Sequence, residues 1–442
     1  MSNDFNTDVI VVGAGPAGIS AAIEVAKNGR KVVLLERAQY PGSKNMFGGA
    51  VYHKALEAVF KDKVSELPYE RIINEHTYSF LTEDSSVDLT YKNNSSKNAY
   101  AIKRFNLEHW MIEQAKQQGV YYSPNTLVKK LIQKNDCTVG VETEYEQYFA
   151  PIVILADGVN SLLAKKLGLR ENFKSKDFIL SAKEVIKLNK KTIEQRFNLK
   201  EDLSNGVNKQ YFGSDFGSLK GIKNLFMMSY LYTFKDSISI GVGVNLEDLA
   251  KTKLNINEVL DEVKKHPNIA PLIAEGQLVE YSAHLIPEGG FKNLPKLTSN
   301  GVLIAGDAAG FVNSVHFEGT NFALISGKLA GETALIALDD NDFRESKLAV
   351  YKDKLEESFI LKDLYSYRNV IDLLHYRANS LSVYYPNKIK EFFEIVTGVS
   401  CCSKAVEFRQ FLFNFIKNRS IMELFKDIAA FFKCAVDVLL GK

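Results

Sequence analysis

The sequence predicts an α/β fold built on a parallel sheet, joined to an α+β second domain and closed by a helical C-terminal region. Three observations carry this. Residues 8–37 read as strand, glycine turn, helix and strand. Two later stretches, 150–161 and 301–338, each run from an apolar strand into a turn that carries an aspartate. Between them lies a block, 170–290, rich in aromatic residues and strand-like alternation. Strand–helix alternation favours a parallel sheet, and a run of alternating strands favours a separate, sheet-based layer.

The opening stretch is DVIVVGAGPAGISAAIEVAKNGRKVVLLER. Val9 to Val12 is β-branched throughout, as in a strand buried on both faces. Gly13, Gly15 and Gly18 follow with the spacing G-x-G-x-x-G, and a helical pattern runs from Ala17 to Lys27. A second strand, Lys31 to Leu35, ends on Glu36. In such a unit the first glycine makes the tight turn, the second lets the backbone approach a pyrophosphate, and the third lets helix and strand pack closely. The anion meets N–H groups at the helix start, where the dipole favours negative charge. Glu36, eighteen residues beyond Gly18, is placed to accept a hydrogen bond from a ribose hydroxyl. A dinucleotide site accounts for strand, turn, helix and acid together.

The loop Gly42 to Ala50, GSKNMFGGA, holds three glycines and can approach a flat ligand closely. Residues 51–75 look helical, then irregular, and 76–92 read as two strands around Glu83-Asp84-Ser85. Tyr100 to Phe105 reads as a strand bearing Lys103 and Arg104, followed by a helix from Asn106, its N-cap, to Gln118. Val120-Tyr121-Tyr122 is a third strand near the opening unit, and 127–150 a meander. In APIVILADGVNS, residues 150–161, a buried strand ends in Ala156-Asp157-Gly158. The 170–290 block contains SISIGVGVN and a helix, Ile256 to Lys265, that stops before Pro267. Val302 to Ala305 then leads into Gly306-Asp307, and Gly319-Thr320 opens a long helix. Gly327 and Gly331 in that helix permit close packing.

Residues 346–442 are helical by pattern. Ser420 and Glu423 form an S-x-x-E capping box before the last helix. Ile421, Leu424, Phe425, Ile428, Phe432, Ala435, Val436 and Leu439 share one face, with Glu423, Lys426, Asp427, Lys433 and Asp437 mostly opposite. That face suits packing on the body or a partner, or contact with a membrane surface.

The 442 residues carry 55 Lys+Arg against 53 Asp+Glu. A near-balanced charge without a basic stripe gives no sign of nucleic-acid binding. The four cysteines, Cys137, Cys401, Cys402 and Cys434, make no C-x-x-C, so no metal or iron–sulfur ligation is expected within the chain. Free thiols fit a reducing, cytoplasmic compartment. The polar start MSNDFNTD is not a secretory signal, and no uncharged apolar run of eighteen residues predicts a spanning helix.

The three cofactor-compatible turns, in this order, resemble the glutathione-reductase-type FAD fold, a discontinuous Rossmann domain, in its p-hydroxybenzoate-hydroxylase-like branch. GSKNMFGG, IPEGG at 286–290 and GDAAG at 306–310 look like the electron-transfer-flavoprotein:quinone oxidoreductase family, in its shorter bacterial FixC-like members. The resemblance covers nearly the whole chain. It implies an FAD-binding domain of residues 1–75, 100–169 and 291–345, an acceptor domain of 76–99 and 170–290, and a helical region of 346–442. Gly13, Gly15, Ala17 and Gly18 would line the pyrophosphate, Glu36 the ribose and Arg37 the adenosine end. Lys44, Asn45, Gly48 and Gly49 would border the isoalloxazine, Arg104 the phosphate–ribityl region, and Val128 the adenine. Asp157 and Gly158 would close over the cofactor. Gly306 and Asp307 would hold the ribityl chain, and Gly319, Thr320 and Asn321 would face the pyrimidine end. His316, in SVHFEG, is a candidate proton donor, weighed against a packed loop histidine.

Only one G-x-G-x-x-G is complete; GVGVNLED, 241–248, lacks the third glycine and its helix. Electrons are therefore expected from a protein rather than from a built-in nicotinamide domain. The longer family members carry a cysteine-ligated iron–sulfur domain, which residues 346–442 cannot supply. The resemblance thus implies FAD as cofactor, a two-subunit electron-transfer flavoprotein as donor, and a separate ferredoxin-like iron–sulfur protein on the way to quinone. A peripheral place at the inner face of the cytoplasmic membrane is compatible with this. A prenyl (geranylgeranyl-type) reductase or aromatic hydroxylase on the same fold, and an FAD-stabilised assembly subunit without turnover, stand as alternatives.

Overall fold

The computed structural model describes residues 6–43, 49–95, 97–171, 174–417 and 419–441. The chain divides into two interleaved compact units. The first comprises residues 1–72, 97–178 and 284–365, and the second 73–96, 179–283 and 366–442. The C-terminal residues thus form no third body, since 346–365 go with the first unit and the remainder with the second.

The first unit is built on β1 (Val9–Val12), α1 (Pro16–Lys27) and β2 (Val32–Leu35). They are followed by α2 (Arg104–Gln117), β3 (Ile152–Leu155), β4 (Val302–Ile304) and α3 (Thr320–Asp339). The sheet runs in the order Thr298–Ser299, β4, β3, β1, β2, Tyr121–Ser123, and all pairings are parallel except the first. Val12 stands opposite Leu155 on one side and Leu35 on the other, and Leu155 opposite Ile304. Three strand ends from distant parts of the sequence therefore lie side by side. Val9, Ile10, Val11, Ile154 and Leu303 are fully buried, as the uniformly apolar strands require of a sheet covered on both faces.

Helices α1 and α3 pack backbone to backbone. A β-carbon at Gly327 would collide with the Ala17 carbonyl, and one at Gly331 would lie 2.8 Å from that of Ala21. The Ser20 hydroxyl donates to the Leu324 carbonyl at 2.7 Å. A three-stranded antiparallel meander, residues 130–149, also belongs to this unit.

In the second unit a sheet runs in the order Gln277–Pro287, Phe178–Lys187, Ser237–Asn245, Met227–Thr233, Gly206–Phe212, Arg71–Leu81, with Ser86–Lys92 paired to the last. Residues 71–75, read from sequence as the irregular end of a helical stretch, are the start of that long strand. The GVGV stretch lies inside strand Ser237–Asn245, where Gly241 leaves room for the Tyr230 ring on the neighbouring strand. Helix Ile256–Lys265 carries a capping box from Asn255 and Glu258 and buries Val259, Leu260 and Val263.

The last two helices are α4 (Lys404–Lys417) and α5 (Ile421–Leu440). The Ser420 hydroxyl caps α5 by accepting from the Glu423 N–H, but the Glu423 carboxylate pairs with Arg377 and Lys426, so the box is half formed. The orientation of α5 inverts the packing reading. Asp427, placed by periodicity on the polar outer face, is 1% exposed, with Arg419 at 2.6 Å, Arg377 at 3.1 Å and the Tyr385 hydroxyl donating to it at 2.6 Å. Arg368 and Asn369 hold Asp437 in the same way. Phe425, Ile428 and Phe432 are instead 64%, 64% and 69% exposed. Packing of the apolar face on the chain's own body is therefore overturned, because ion pairs have claimed the other side.

Candidate cofactor-binding site

The turns after β4, β3, β1 and β2 line up at the carboxyl edge of the first unit's sheet, the edge at which open α/β sheets bind ligands. They carry Gly306 and Asp307, Asp157 and Gly158, Gly13 and Gly15, and Glu36 and Arg37. Gly13 has φ +102°, and a β-carbon there would collide with the Ala156 carbonyl. One at Gly18 would collide with the carbonyl of Gly13, whereas one at Gly15 meets nothing within 4 Å. The turn is thus tight beneath its first and third glycines and open above the second. Pro16 occupies the first position of α1, where a missing N–H costs nothing.

Both oxygens of Glu36 already hold the turn in place. The Ala14 N–H donates to Oε2 and the Ala38 N–H to Oε1, each at 2.8 Å. A carboxylate has about four lone-pair sites, so capacity remains for a hydroxyl. The Glu36 carbonyl accepts from the Thr126 N–H, bringing in the segment that leads to buried Val128. Arg37 is exposed beside this edge.

Asp157 is half-buried with its Oδ1 shielded from solvent, and desolvation pushes its carboxyl up to about 6, against the pull of the Leu163 N–H, Arg170 and Arg37. Its Oδ1 has no hydrogen-bond partner. Burial also raises Asp307, while Arg104 and Arg170 lower it. The Ser326 hydroxyl accepts from the Gly306 N–H at 3.0 Å, docking the first turns of α3 under the Gly306 turn. Gly319 is the N-cap of α3, and Asn321, two residues in, has a buried, unpartnered Oδ1. First-turn N–H groups of a helix lack intrahelical acceptors, so Gly319, Thr320 and Asn321 present donors at this end.

Arg104 opens α2 rather than ending a strand. The strand stops at Ala101, and Lys103, not Asn106, is the N-cap. The Arg104 Nε donates to Glu108 Oε1 at 2.6 Å. Glu108 is fully buried, and burial raises its carboxyl, Arg104 pulls it back, and Glu36 and Asp307 push it up. Gly49 accepts from the Ile102 N–H, so the glycine loop rejoins the chain beside Arg104. Lys44, Asn45 and Gly48 lie outside the described residues. His316 is exposed on a loop bridged by Asn313 and Glu318, and its charge lowers the carboxyl of Asp363, which burial raises.

Sequence reasoning missed Arg170 and His284. Arg170 donates to the Ala308 carbonyl at 2.5 Å. Burial, together with the charges of Arg104 and Arg37, pulls the His284 imidazole down to about 4, so it is neutral at neutral pH. Neither sits in a motif, and only their partners across the fold reveal them.

An FAD-sized dinucleotide fits these residues. Open space lies over Gly15, and two buried, unpartnered acceptors, on Asp157 and Asn321, await donors. The sequence profile of FAD-dependent oxidoreductases matches residues 8–165. The protein FixC of Bradyrhizobium diazoefficiens is 36% identical over 432 residues, 96% of this chain and 98% of the relative. The chain belongs to the FixC family of FAD-dependent oxidoreductases. Escherichia coli FixC is 38% identical over 84% of this chain and 86% of its own. A second E. coli relative, named a probable electron transfer flavoprotein-quinone oxidoreductase, is 37% identical with the same coverage. Among solved structures, a geranylgeranyl bacteriochlorophyll reductase-like protein of Thermoplasma acidophilum superposes with TM-score 0.71 at 18% identity, over 93% of this chain and 98% of that one. A flavin-dependent brominase does so with TM-score 0.64 at 14% identity, over 93% and 100%. At these identities the likeness shows a shared fold. FAD is the cofactor of this FixC-family chain. Among the described residues no group of three metal-ligating side chains occurs.

Proposed function

We propose that this chain accepts electrons from an electron-transfer flavoprotein and passes them toward quinone through a separate ferredoxin-like iron–sulfur protein. The observation that carries the reading is similarity along most of the chain both to FixC and to a relative named as a probable electron transfer flavoprotein-quinone oxidoreductase. The second glycine-rich stretch, GVGV, lies within a sheet strand and opens no helix after a turn of the dinucleotide-binding kind.

In this reading Gly13, Gly15, Ala17 and Gly18 cradle the pyrophosphate at the start of α1. Glu36, Arg37 and Val128 hold the adenosine end. Asp157, Gly158, Gly306, Asp307 and Arg104 hold the ribityl and phosphate region, and Lys44, Asn45, Gly48 and Gly49 border the ring. The bound flavin would supply reversible storage of electrons. The helix N-terminus at Gly319 to Asn321 would favour negative charge at the ring's pyrimidine edge. His316, exposed near that helix, would exchange protons with solvent.

We further propose that α4 and α5 lie on a membrane surface. Their outward side is apolar, with Leu412, Phe413, Phe425, Phe432 and Leu439 exposed. The acids of α5 turn inward or are paired, while Lys426 and Lys433, seven residues apart, lie exposed on one edge. Apolar contact with a cationic rim is how an interfacial helix meets anionic lipid. Among the described residues no helix is long and apolar enough to cross a membrane.

Anaerobic mixing of the FAD-loaded protein with reduced electron-transfer flavoprotein, with and without a quinone analogue, tests the main reading. Bleaching of the flavin absorbance by the reduced protein, and none by NAD(P)H alone, is the expected outcome. Bleaching by NAD(P)H alone defeats it.

A further inference from the structure

Arg170 follows Asp157, in the second of the three turns, by thirteen residues and belongs to none of the motifs. Its Nη1 donates to the carbonyl of Ala308, the residue after Asp307. The hydroxyl of Ser161, four residues after Asp157 and fully buried, donates to the same carbonyl at 3.1 Å. A carbonyl oxygen has two lone pairs, and both are used here by the 157–170 segment. Ser161 holds a left-handed conformation, φ +44°, to make this contact. A β-carbon at Gly310 would lie 3.8 Å from Nη2, so the guanidinium runs along the whole turn after β4.

We infer that Arg170 is a positioning residue for the flavin site, clamping the turn after β4 to the turn after β3 so that the segments bearing Asp157 and Asp307 are held in register. The inference rests on the reading of this edge as the FAD cradle. The electrostatics agree with the geometry. Arg170 lowers the carboxyls of both aspartates, and Asp157, Asp177 and Asp307 in turn raise Arg170, which burial leaves at about 10 and hence charged. The other charges facing this cluster are Arg37 toward Asp157, Arg104 toward Asp307, Lys165 beside Arg170, and Glu108 behind Asp307. A lysine would keep the charge but lose the planar fork that reaches the carbonyl and spans the turn.

The test is FAD titration of the flavin-free full chain, from about pH 5 to about pH 9, for the parent protein, Arg170→Met and Arg170→Lys. The parent's affinity should bend near the pH at which Asp157 titrates, about 6. Arg170→Met should bind FAD roughly ten- to hundredfold more weakly at the acid end, and its bend should move up by about one pH unit or more. Arg170→Lys should leave the bend in place and lose roughly three- to tenfold in affinity. A Met variant with the parent's affinity and bend overturns the inference, as does a bend displaced equally in both variants. Should the Met variant fail to fold, the lysine variant decides alone: parent-like affinity refutes the clamp. A parent protein that binds no FAD refutes the cradle itself, which separates the two failures.

Discussion

A β-carbon at Gly18 would strike the Gly13 carbonyl, while one at Gly15 would enter open space. Two glycines of one motif thus do different work, and substitution should separate them. Gly15→Ala is expected to fold with a melting temperature within a few degrees of the parent, about 1 kcal/mol or less, yet to bind FAD weakly. Gly18→Ala should lose roughly 1–3 kcal/mol of stability, because backbone must shift to admit the methyl. Urea unfolding and flavin absorbance read both. Asp157 makes a second case. Its carboxyl is raised from 3.8 to about 6, so between those values the folded chain holds a proton that the unfolded chain has lost. Stability of the flavin-free protein should therefore fall as pH rises from 4 to 6, then level off. Asp157→Asn should flatten that slope and stabilise the flavin-free protein at pH 7 by on the order of 1–3 kcal/mol, while weakening FAD binding.

Helix α5 shows how partners elsewhere decide which face of an amphipathic helix goes inside. Its periodicity is plain in the sequence, but periodicity says only which residues share a face. Arg377, Arg419 and Tyr385 converge on Asp427, and that contact fixes the polar side inward. Asp427→Ala would leave Arg419 without its carboxylate and Arg377 with Glu423 alone, costing roughly 3–5 kcal/mol. Loss of the C-terminal helices' protection from proteolysis would report it. On the outer side, Phe425→Glu with Phe432→Glu should leave the melting temperature within a few degrees, since both rings are exposed. Co-sedimentation with vesicles rich in anionic lipid should drop at least about tenfold. Unchanged sedimentation would dismiss the lipid contact.

The first unit needs sequence from three separate segments, so no single cut isolates it. A fragment of residues 1–283 keeps the G-x-G-x-x-G and Asp157 but lacks β4 and α3. It should purify without FAD, if it folds at all, because β3 and α1 lose their packing partners; a yellow fragment would contradict this. Much of this arrangement was legible. Glycine sterics and strand burial are local properties, and they place Gly13, Asp157 and Gly306 at strand ends without any knowledge of contacts. Close packing at Gly327 and Gly331 was legible for the same reason. The start of α2 was not, because Lys103 and Arg104 carry no capping signal and the helix begins two residues before Asn106. Arg170 was invisible because its partner lies 138 residues further along.

Strand β1 precedes its sheet neighbours in the chain and sits in the middle of the sheet, yet its neighbour β3 pairs with it across about 140 residues of chain, and β4 joins later still. At ribosomal speeds of roughly 5–20 residues per second, β1 waits on the order of ten seconds or more with one apolar edge bare. The nascent chain is then a natural client for chaperones, and cofactor loading must wait for synthesis of α3, because the site proposed for FAD is incomplete until that helix has emerged from the ribosome.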